Sequence, residues 1–86
     1  MDYGITTFVG QTYKLQEAAQ MTNRVVPNGY DAANDGEEYN FEMAANAIDK
    51  DGQPVRAYWI FTGTKGENDP ELDTYDYSEA DTISIL

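Results

Sequence analysis

The chain contains 86 residues, sixteen acidic and five basic, without histidine or cysteine, and its formal net charge is −11. This negative charge repels phosphate groups, which argues against direct binding to nucleic acid or to an anionic membrane. The absence of histidine and cysteine removes disulfides, thiolate metal sites and the usual bases and nucleophiles of catalytic triads, so we predict no enzymatic activity and no cofactor.

The N-terminal part of the chain is predicted to contain a short extended segment followed by one helix. Residues 5–9 are β-branched or aromatic, which favours a strand or an extended lead-in, and Gly10 interrupts them. From Thr12 to about Arg24 the pattern predicts a helix, because small and apolar side chains recur at helical spacing. The inward stripe of this helix consists of Leu15, Ala18, Ala19 and Thr22. Proline, asparagine and glycine at 27–29 end it.

The middle of the chain is predicted to form a long antiparallel hairpin over residues 38–63. Apolar and polar side chains alternate in both arms, as they do in half-buried strands. Ahead of the hairpin, residues 30–33 are expected to form a short strand or an ordered loop, and residues 34–37 a turn. Because the hairpin carries most of the apolar surface, we expect the rest of the fold to pack around it.

The register of this hairpin follows from its turn, Asp49-Lys50-Asp51-Gly52. Aspartate in the first position and glycine in the fourth favour a type I turn with the glycine in the left-handed region. The resulting three-residue loop pairs Asp49 with Gln53. A two-residue loop would instead place Glu42 beside Phe61, so the apolar pattern selects the longer loop. The predicted apolar pairs are Ala47–Val55, Ala45–Ala57, Met43–Trp59 and Phe41–Phe61.

The same turn has a superficial likeness to a calcium-binding loop. The EF-hand pattern requires acidic or amide residues at positions one, three and five, glycine at six and glutamate at twelve. With Gly52 at position six, Ala47 falls at position one and Tyr58 at position twelve, and neither side chain is a calcium ligand. We therefore predict no metal site in the turn, and weak divalent-cation binding by the C-terminal carboxylates is left as an alternative.

Residues 64–70 are predicted to be a loop, because they are polar and contain glycine and proline, and residues 81–86 a closing strand. Together the elements predict an α+β fold. In it one N-terminal helix packs on a small, three- to four-stranded antiparallel sheet built around the hairpin 38–63. No linker or repeat divides the sequence, so residues 1–86 are predicted to be a single acidic domain.

The segment 67–81 is the main candidate site. It contains seven acidic residues among fifteen, with no basic residue and with two tyrosines between them. Carboxylates steer and pair with a basic surface, and tyrosines are enriched where proteins bind each other. The predicted partner-binding residues are Glu67, Asp69, Glu71, Asp73, Tyr75, Asp76, Tyr77, Glu79 and Asp81. The alternative is a solvated acidic loop whose tyrosines cover the edge of the core.

Small size, strong acidity, the lack of cysteine and the α+β pattern resemble inhibitors encoded by phages and mobile elements. These include anti-CRISPR and anti-restriction proteins that imitate DNA. The resemblance is one of composition, and no residue roles are carried over from it. Imitation of DNA would require further carboxylates on the same surface, namely Asp31, Asp35, Glu37 and Glu38.

These observations predict a small acidic protein-binding module, an inhibitor or a nucleic-acid mimic. Its expected partner is a basic protein surface, such as that of a nucleic-acid-binding protein. The alternative is a self-associating structural or accessory protein that forms a homodimer through an exposed sheet edge or the C-terminal strand. No signal peptide or membrane-spanning run is visible in the sequence, which together with the lack of cysteine predicts a cytoplasmic protein.

Overall fold

The computed structural model describes residues 3–22, 24, 26–66 and 75–86. Over these residues the regular structure consists of six strands and one 3-10 turn. The elements are β1 (Ile5–Phe8), β2 (Gln11–Leu15), β3 (Gln20–Met21), the 3-10 turn (Tyr30–Ala32), β4 (Glu38–Ile48), β5 (Pro54–Thr64) and β6 (Thr82–Ile85). The strands form one antiparallel sheet in the order β1-β2-β4-β5-β6, and β3 pairs with β4.

The long hairpin is formed by β4 and β5, and its predicted register is confirmed. The apolar pairs include Ala47–Val55, Ala45–Ala57, Met43–Trp59 and Phe41–Phe61. In the turn, Gly52 has a φ of 81° and donates its N–H to the Asp49 carbonyl at 3.0 Å. The Asp49 carboxylate accepts hydrogen bonds from the backbone N–H groups of Asp51 and Gln53 at 2.9 and 2.8 Å. The aspartate therefore fixes the three-residue loop, and the loop fixes the register.

The predicted helix from Thr12 to Arg24 is wrong, and with it the α+β class. Residues 11–15 form β2, which pairs with β1 on one side and with β4 on the other. Within β2, Tyr13 and Leu15 pack against the core while their neighbours are exposed, which is the period of a strand. The hydrogen bonds along both edges of β2 stabilise the strand more than the weak helical pattern of the small residues after it could stabilise a helix.

A two-residue turn at Val9 and Gly10 connects β1 to β2. The two residues have φ values of 49° and 75°, as in the type I′ turns that join twisted strands. Gly10 was predicted only to interrupt an extended segment, because valine is an unusual residue in the left-handed region. The glycine instead reverses the chain, and the predicted strand over residues 5–9 becomes the first arm of a second hairpin.

The outer edge of β1 contacts the segment that leads into β6. Thr7 donates its backbone N–H to the Ser78 carbonyl at 2.8 Å, and Ala80 donates to the Thr7 carbonyl at 2.9 Å. Glu79 lies opposite Thr7 in a parallel bridge. Since β6 pairs with β5, these contacts join the two ends of the strand order. The sheet therefore curls back on itself and encloses its inner face.

The core occupies this inner face. Its buried residues are Leu15, Tyr39, Phe41, Met43, Ala45, Ala47, Val55, Ala57 and Trp59. Leu15 pairs with Ala47, so β2 lies along the alanine-rich part of the hairpin that was expected to receive a helix. The predicted closing strand is confirmed as β6. The predicted turn at 34–37 is confirmed by the hydrogen bond from Glu37 N–H to the Asn34 carbonyl at 2.9 Å.

Candidate functional site

The open end of the β4–β5 hairpin, opposite its turn, consists of residues 30–38 and 64–66. Backbone hydrogen bonds join the two segments, from Gly36 to the Lys65 carbonyl at 2.8 Å and from Lys65 to the Glu37 carbonyl at 2.9 Å. Gly36 has a φ of 87°, in the left-handed region that glycine adopts without a Cβ clash. The hairpin register therefore places the predicted turn at 34–37 directly against the end of β5.

Four exposed carboxylates lie at this open end, which we call the acidic end: Asp31, Asp35, Glu37 and Glu38. The Glu37 carboxylate accepts a hydrogen bond from the backbone N–H of Asn34 at 2.8 Å, which ties it to the turn. Asp35 lies beside Gly66, the last described residue before the predicted acidic segment. The acidic end thus includes Gly66, the residue that immediately precedes that segment in the sequence.

The basic side chain at the acidic end is Lys65, and it does not neutralise the carboxylates by direct pairing. Its ammonium group donates to the carbonyls of Tyr30 and Ala33 at 3.0 and 2.9 Å, and it lies 4.3 Å from the centre of the Tyr30 ring. Among the described residues, the ion pairs are those of Arg24 with Glu42 and of Arg56 with Glu17. None of the four carboxylates of the acidic end belongs to either pair.

A polar cavity of about 280 Å³ opens beside the acidic end. Its lining residues are Asn28, Ala32, Ala33, Glu37, Glu38, Asn40 and Thr62. Asn40 braces the wall, since its side-chain amide donates to the Pro27 carbonyl at 3.1 Å and its side-chain oxygen accepts from the Thr62 hydroxyl at 3.1 Å. The carboxylates of Glu37 and Glu38 can accept charge-assisted hydrogen bonds, so the cavity suits an ammonium or guanidinium group.

A second polar cluster lies on the outer face of β4 around Glu42, whose side chain is only 8% exposed. Arg24 donates from Nε and Nη2 to the two carboxylate oxygens of Glu42, each at 2.8 Å, and the Thr22 hydroxyl donates at 2.7 Å. The Arg24 guanidinium also lies 4.3 Å from the centre of the Tyr58 ring. Because the charges in this cluster cancel, we assign it the structural role of attaching the segment after β3 to the sheet.

These contacts make the contribution of Glu42 to the stability of the fold dependent on pH. The hydrogen bond from Arg24 is the main reason that the pKa of Glu42 lies below its usual value, and the Thr22 hydrogen bond adds to it, whereas burial opposes both. A carboxyl with a lower pKa in the folded state contributes stability at a pH above its unfolded value of about 4.3. This contribution is lost as the pH falls through the lower, folded value.

Glu42→Gln keeps the shape of the side chain and removes its charge. We expect it to lower the free energy of unfolding by about 1–2 kcal/mol at neutral pH, at the low end for a charged hydrogen bond because Arg24 is largely exposed. The difference between the two proteins should shrink once the pH falls below about 4. Urea unfolding of both proteins across this range measures it. A difference that is independent of pH would show that the pair does not stabilise the charged carboxylate.

The structure places Tyr75 and Tyr77, which were predicted as partner anchors, against the core. The Tyr75 ring centre lies 4.7 Å from that of Phe61 and 5.4 Å from that of Phe41. The Tyr77 ring centre lies 5.1 Å from that of Trp59 and 5.2 Å from that of Phe61. Both tyrosines are half-buried. Much of each ring therefore covers the aromatic end of the core, and only part of it is available to a partner.

The other described members of the predicted site are exposed carboxylates, and two of them also hold the backbone. Asp76 accepts from Ser78 N–H at 2.9 Å, which lowers the pKa of Asp76, and Asp81 accepts from Ile60 N–H at 2.7 Å. Glu79 is exposed. The predicted site residues Glu67, Asp69, Glu71 and Asp73 lie outside the described residues.

Two features of the site were not predicted. The first is the position of the 34–37 turn beside the end of β5. It could have been predicted by extending the register one step past residue 63, because that register pairs Glu38 with Thr64. The Arg24–Glu42 pair has no comparable signal, because its partners are eighteen residues apart and the helical interpretation separated them.

Comparison with known proteins gives no match to a family model, to a curated protein or to a solved structure. Within the described ranges, no group of three or more acidic, histidine or cysteine side chains is arranged to hold a metal ion. A search of the same ranges for a long apolar helix that could cross a bilayer finds none. The charge and geometry of the acidic end are therefore the features of the described residues that bear most directly on function.

Proposed function

We propose that this protein is a protein-binding module whose acidic end engages a basic surface on its partner. The observation that carries the proposal is the set of four exposed carboxylates that share one end of the hairpin and form no ion pair with any described residue. Exposed charges of one sign increase the rate at which an oppositely charged partner associates and fix its orientation. The cavity bounded by Glu37 and Glu38 provides a place for one lysine or arginine side chain of that partner.

The position of the acidic end makes the interaction directional. The strand β4 has eleven residues, so at roughly 3.3 Å per residue the open end and the turn are about 35 Å apart. This separation exceeds the Debye length of about 8 Å at physiological ionic strength. A partner at the open end therefore interacts electrostatically with the carboxylates there. Its interaction with charges at the turn, where Lys50 is located, is largely screened.

A partner that normally binds nucleic acid has a surface of the required sign. An acidic module on such a surface would compete with the phosphate backbone, and we therefore propose inhibition by occupation of a basic groove as the biological role. The carboxylates of the segment that starts at residue 67 would extend the same interaction, as the sequence predicts.

A charge-reversal experiment tests the position of the binding surface. We expect Asp35→Lys/Glu38→Lys to weaken the binding of a short arginine-rich peptide by about tenfold or more at low salt, because it replaces attraction by repulsion. Neither side chain forms a hydrogen bond with another described residue, in contrast to Glu37, which accepts one from Asn34. Fluorescence anisotropy of the labelled peptide measures the affinity, and added salt should weaken the wild-type complex.

The matched control is Glu17→Lys/Asp51→Lys, which changes the net charge by the same amount near the hairpin turn. Glu17 lies 3.7 Å from Arg56 in a partly exposed ion pair, which contributes little to stability. We expect this variant to bind the peptide within about twofold of the wild type. Equal losses in the two variants would mean that the peptide responds to net charge alone, and the proposal would then be wrong.

A further inference from the structure

The strand β6 is the last strand in the sheet order, and one of its edges has no strand beside it among the described residues. In an antiparallel ladder, alternate residues direct their N–H and C=O groups toward opposite edges. Leu86 donates to the Pro54 carbonyl at 3.4 Å, and Ser84 lies opposite Arg56, so the even-numbered residues of this region face β5. Ile83 and Ile85 consequently direct their backbone groups away from the sheet.

This edge lacks two of the features that usually prevent strands from pairing across molecules, a charged side chain and proline. The sequence of β6 is TISI, without a charged residue or proline, and such residues are the common protection of exposed edges. Apolar side chains are also exposed here, since Ile85 is 72% exposed and Leu86 is 64% exposed. The edge therefore offers unpaired backbone groups together with apolar surface.

We propose that β6 pairs with β6 of a second copy of this chain, antiparallel and with the two-fold axis at Ser84. In this register Ile83 lies opposite Ile85 of the second copy, and the outward groups of both isoleucines form four backbone hydrogen bonds across the interface. The side chains of these isoleucines lie on the same face and contact each other, which covers the exposed Ile85. This inference is independent of the proposed function of the acidic end.

The charges near β6 favour this arrangement over the parallel one. A parallel pair would place the two Asp81 side chains close together, whereas the antiparallel pair places them at opposite ends of the interface. The neighbouring two-fold register, centred on Ile83, would bring Asp81 opposite Ile85. It would also need the Asp81 N–H for a hydrogen bond across the interface, but this N–H already donates to the Tyr58 carbonyl at 2.8 Å. The register centred on Ser84 uses only backbone groups that have no partner among the described residues.

Sedimentation velocity tests the self-pairing. Because the interface is small, we expect a monomer at about 10 µM and a rising fraction of dimer toward about 1 mM. Dimerisation should be stronger at high salt, since salt screens the repulsion between two copies of charge −11. This salt dependence is opposite to that expected for the acidic end, so failure of one proposal is distinguishable from failure of the other.

Two variants of Ile85 test whether the dimer forms through the exposed edge of β6. Ile85→Lys places a charge on the exposed edge and should abolish the dimer, and Ile5→Lys is the matched control at another exposed isoleucine, 60% exposed. Ile85→Pro removes an outward N–H without touching the pairing with β5, and should also give a monomer with an unchanged circular dichroism spectrum. A wild type that stays monomeric at about 1 mM and high salt overturns the inference. Dimerisation of Ile85→Lys equal to that of Ile5→Lys also overturns it.

Discussion

Trp59→Ala is expected to remove a large part of the free energy of unfolding. Trp59 is completely buried in the centre of β5, and truncation of a buried tryptophan costs about 3–5 kcal/mol. A domain of this size has a free energy of unfolding of roughly 4–13 kcal/mol. The loss is increased by two specific contacts, because the indole N–H donates to the Tyr77 carbonyl at 3.1 Å and the indole ring contacts the Tyr77 ring edge-on.

The position of Tyr77 explains why the effect should extend beyond the hairpin. Tyr77 precedes Ser78, which accepts the hydrogen bond of Thr7 and so helps to join β1 to the C-terminal part of the chain. Urea unfolding followed by circular dichroism measures the change. Trp59→Phe is the matched control, since it retains an aromatic ring and loses the hydrogen bond, and we expect it to cost about 1–2 kcal/mol. A loss below about 1 kcal/mol for Trp59→Ala would contradict the placement of the indole in the core.

Thr6→Val should change the free energy of unfolding in the opposite direction and stabilise the protein. Thr6 is fully buried, and its hydroxyl has no hydrogen-bond partner among the described residues. A buried hydroxyl without a partner costs about 1–3 kcal/mol, and valine has nearly the same shape without the polar atom. We expect the free energy of unfolding to rise by about 1–2 kcal/mol.

The neighbouring threonine supplies the control for this prediction. The Thr7 hydroxyl donates to the Ser78 carbonyl at 3.2 Å, so Thr7→Val removes a hydrogen bond and should be neutral or destabilising. Urea midpoints of the two single variants and the wild type give the comparison. If Thr6→Val is less stable than the wild type, the hydroxyl has a partner in solution and the enclosed inner face is more polar than the structure indicates.

The sequence predicted the long hairpin because its information is local. Asp49 and Gly52 define the loop, and the alternation in the two arms allows only one register with the apolar residues paired. The closing strand could be predicted for a similar reason, since residues 81–86 alternate. These elements depend on neighbours in sequence or on a single turn, and both were visible without a structure.

The N-terminal part of the chain could not be predicted in the same way. The period of β2 is short and competes with the helical spacing of Leu15 and the small residues after it, and the Val9–Gly10 turn lacks the usual asparagine or aspartate. Pairing of β2 with β4 joins residues more than thirty positions apart. The contact of Thr7 with Ser78 spans an even longer stretch. Such tertiary contacts decide the structure where local preferences are weak.

The candidate site was partly predictable. The four carboxylates of the acidic end were recognised as a condition for imitating DNA, and the hairpin register explains why they lie near Gly66, which precedes the acidic segment in the sequence. The half-buried positions of Tyr75 and Tyr77 depend on ring contacts with Phe61 from another element. Composition alone cannot distinguish tyrosines that cover the core from tyrosines that bind a partner.

We propose that the acidic end is the surface that binds a basic partner. Titration of isotope-labelled protein with an arginine-rich peptide, followed by amide chemical shifts at low salt, tests it most directly. We predict that the largest shifts fall on residues 30–38 and 64–66 and disappear in Asp35→Lys/Glu38→Lys. Shifts that concentrate instead on the hairpin turn at residues 49–52, or that spread evenly over both ends of the hairpin, would contradict this assignment of the binding surface.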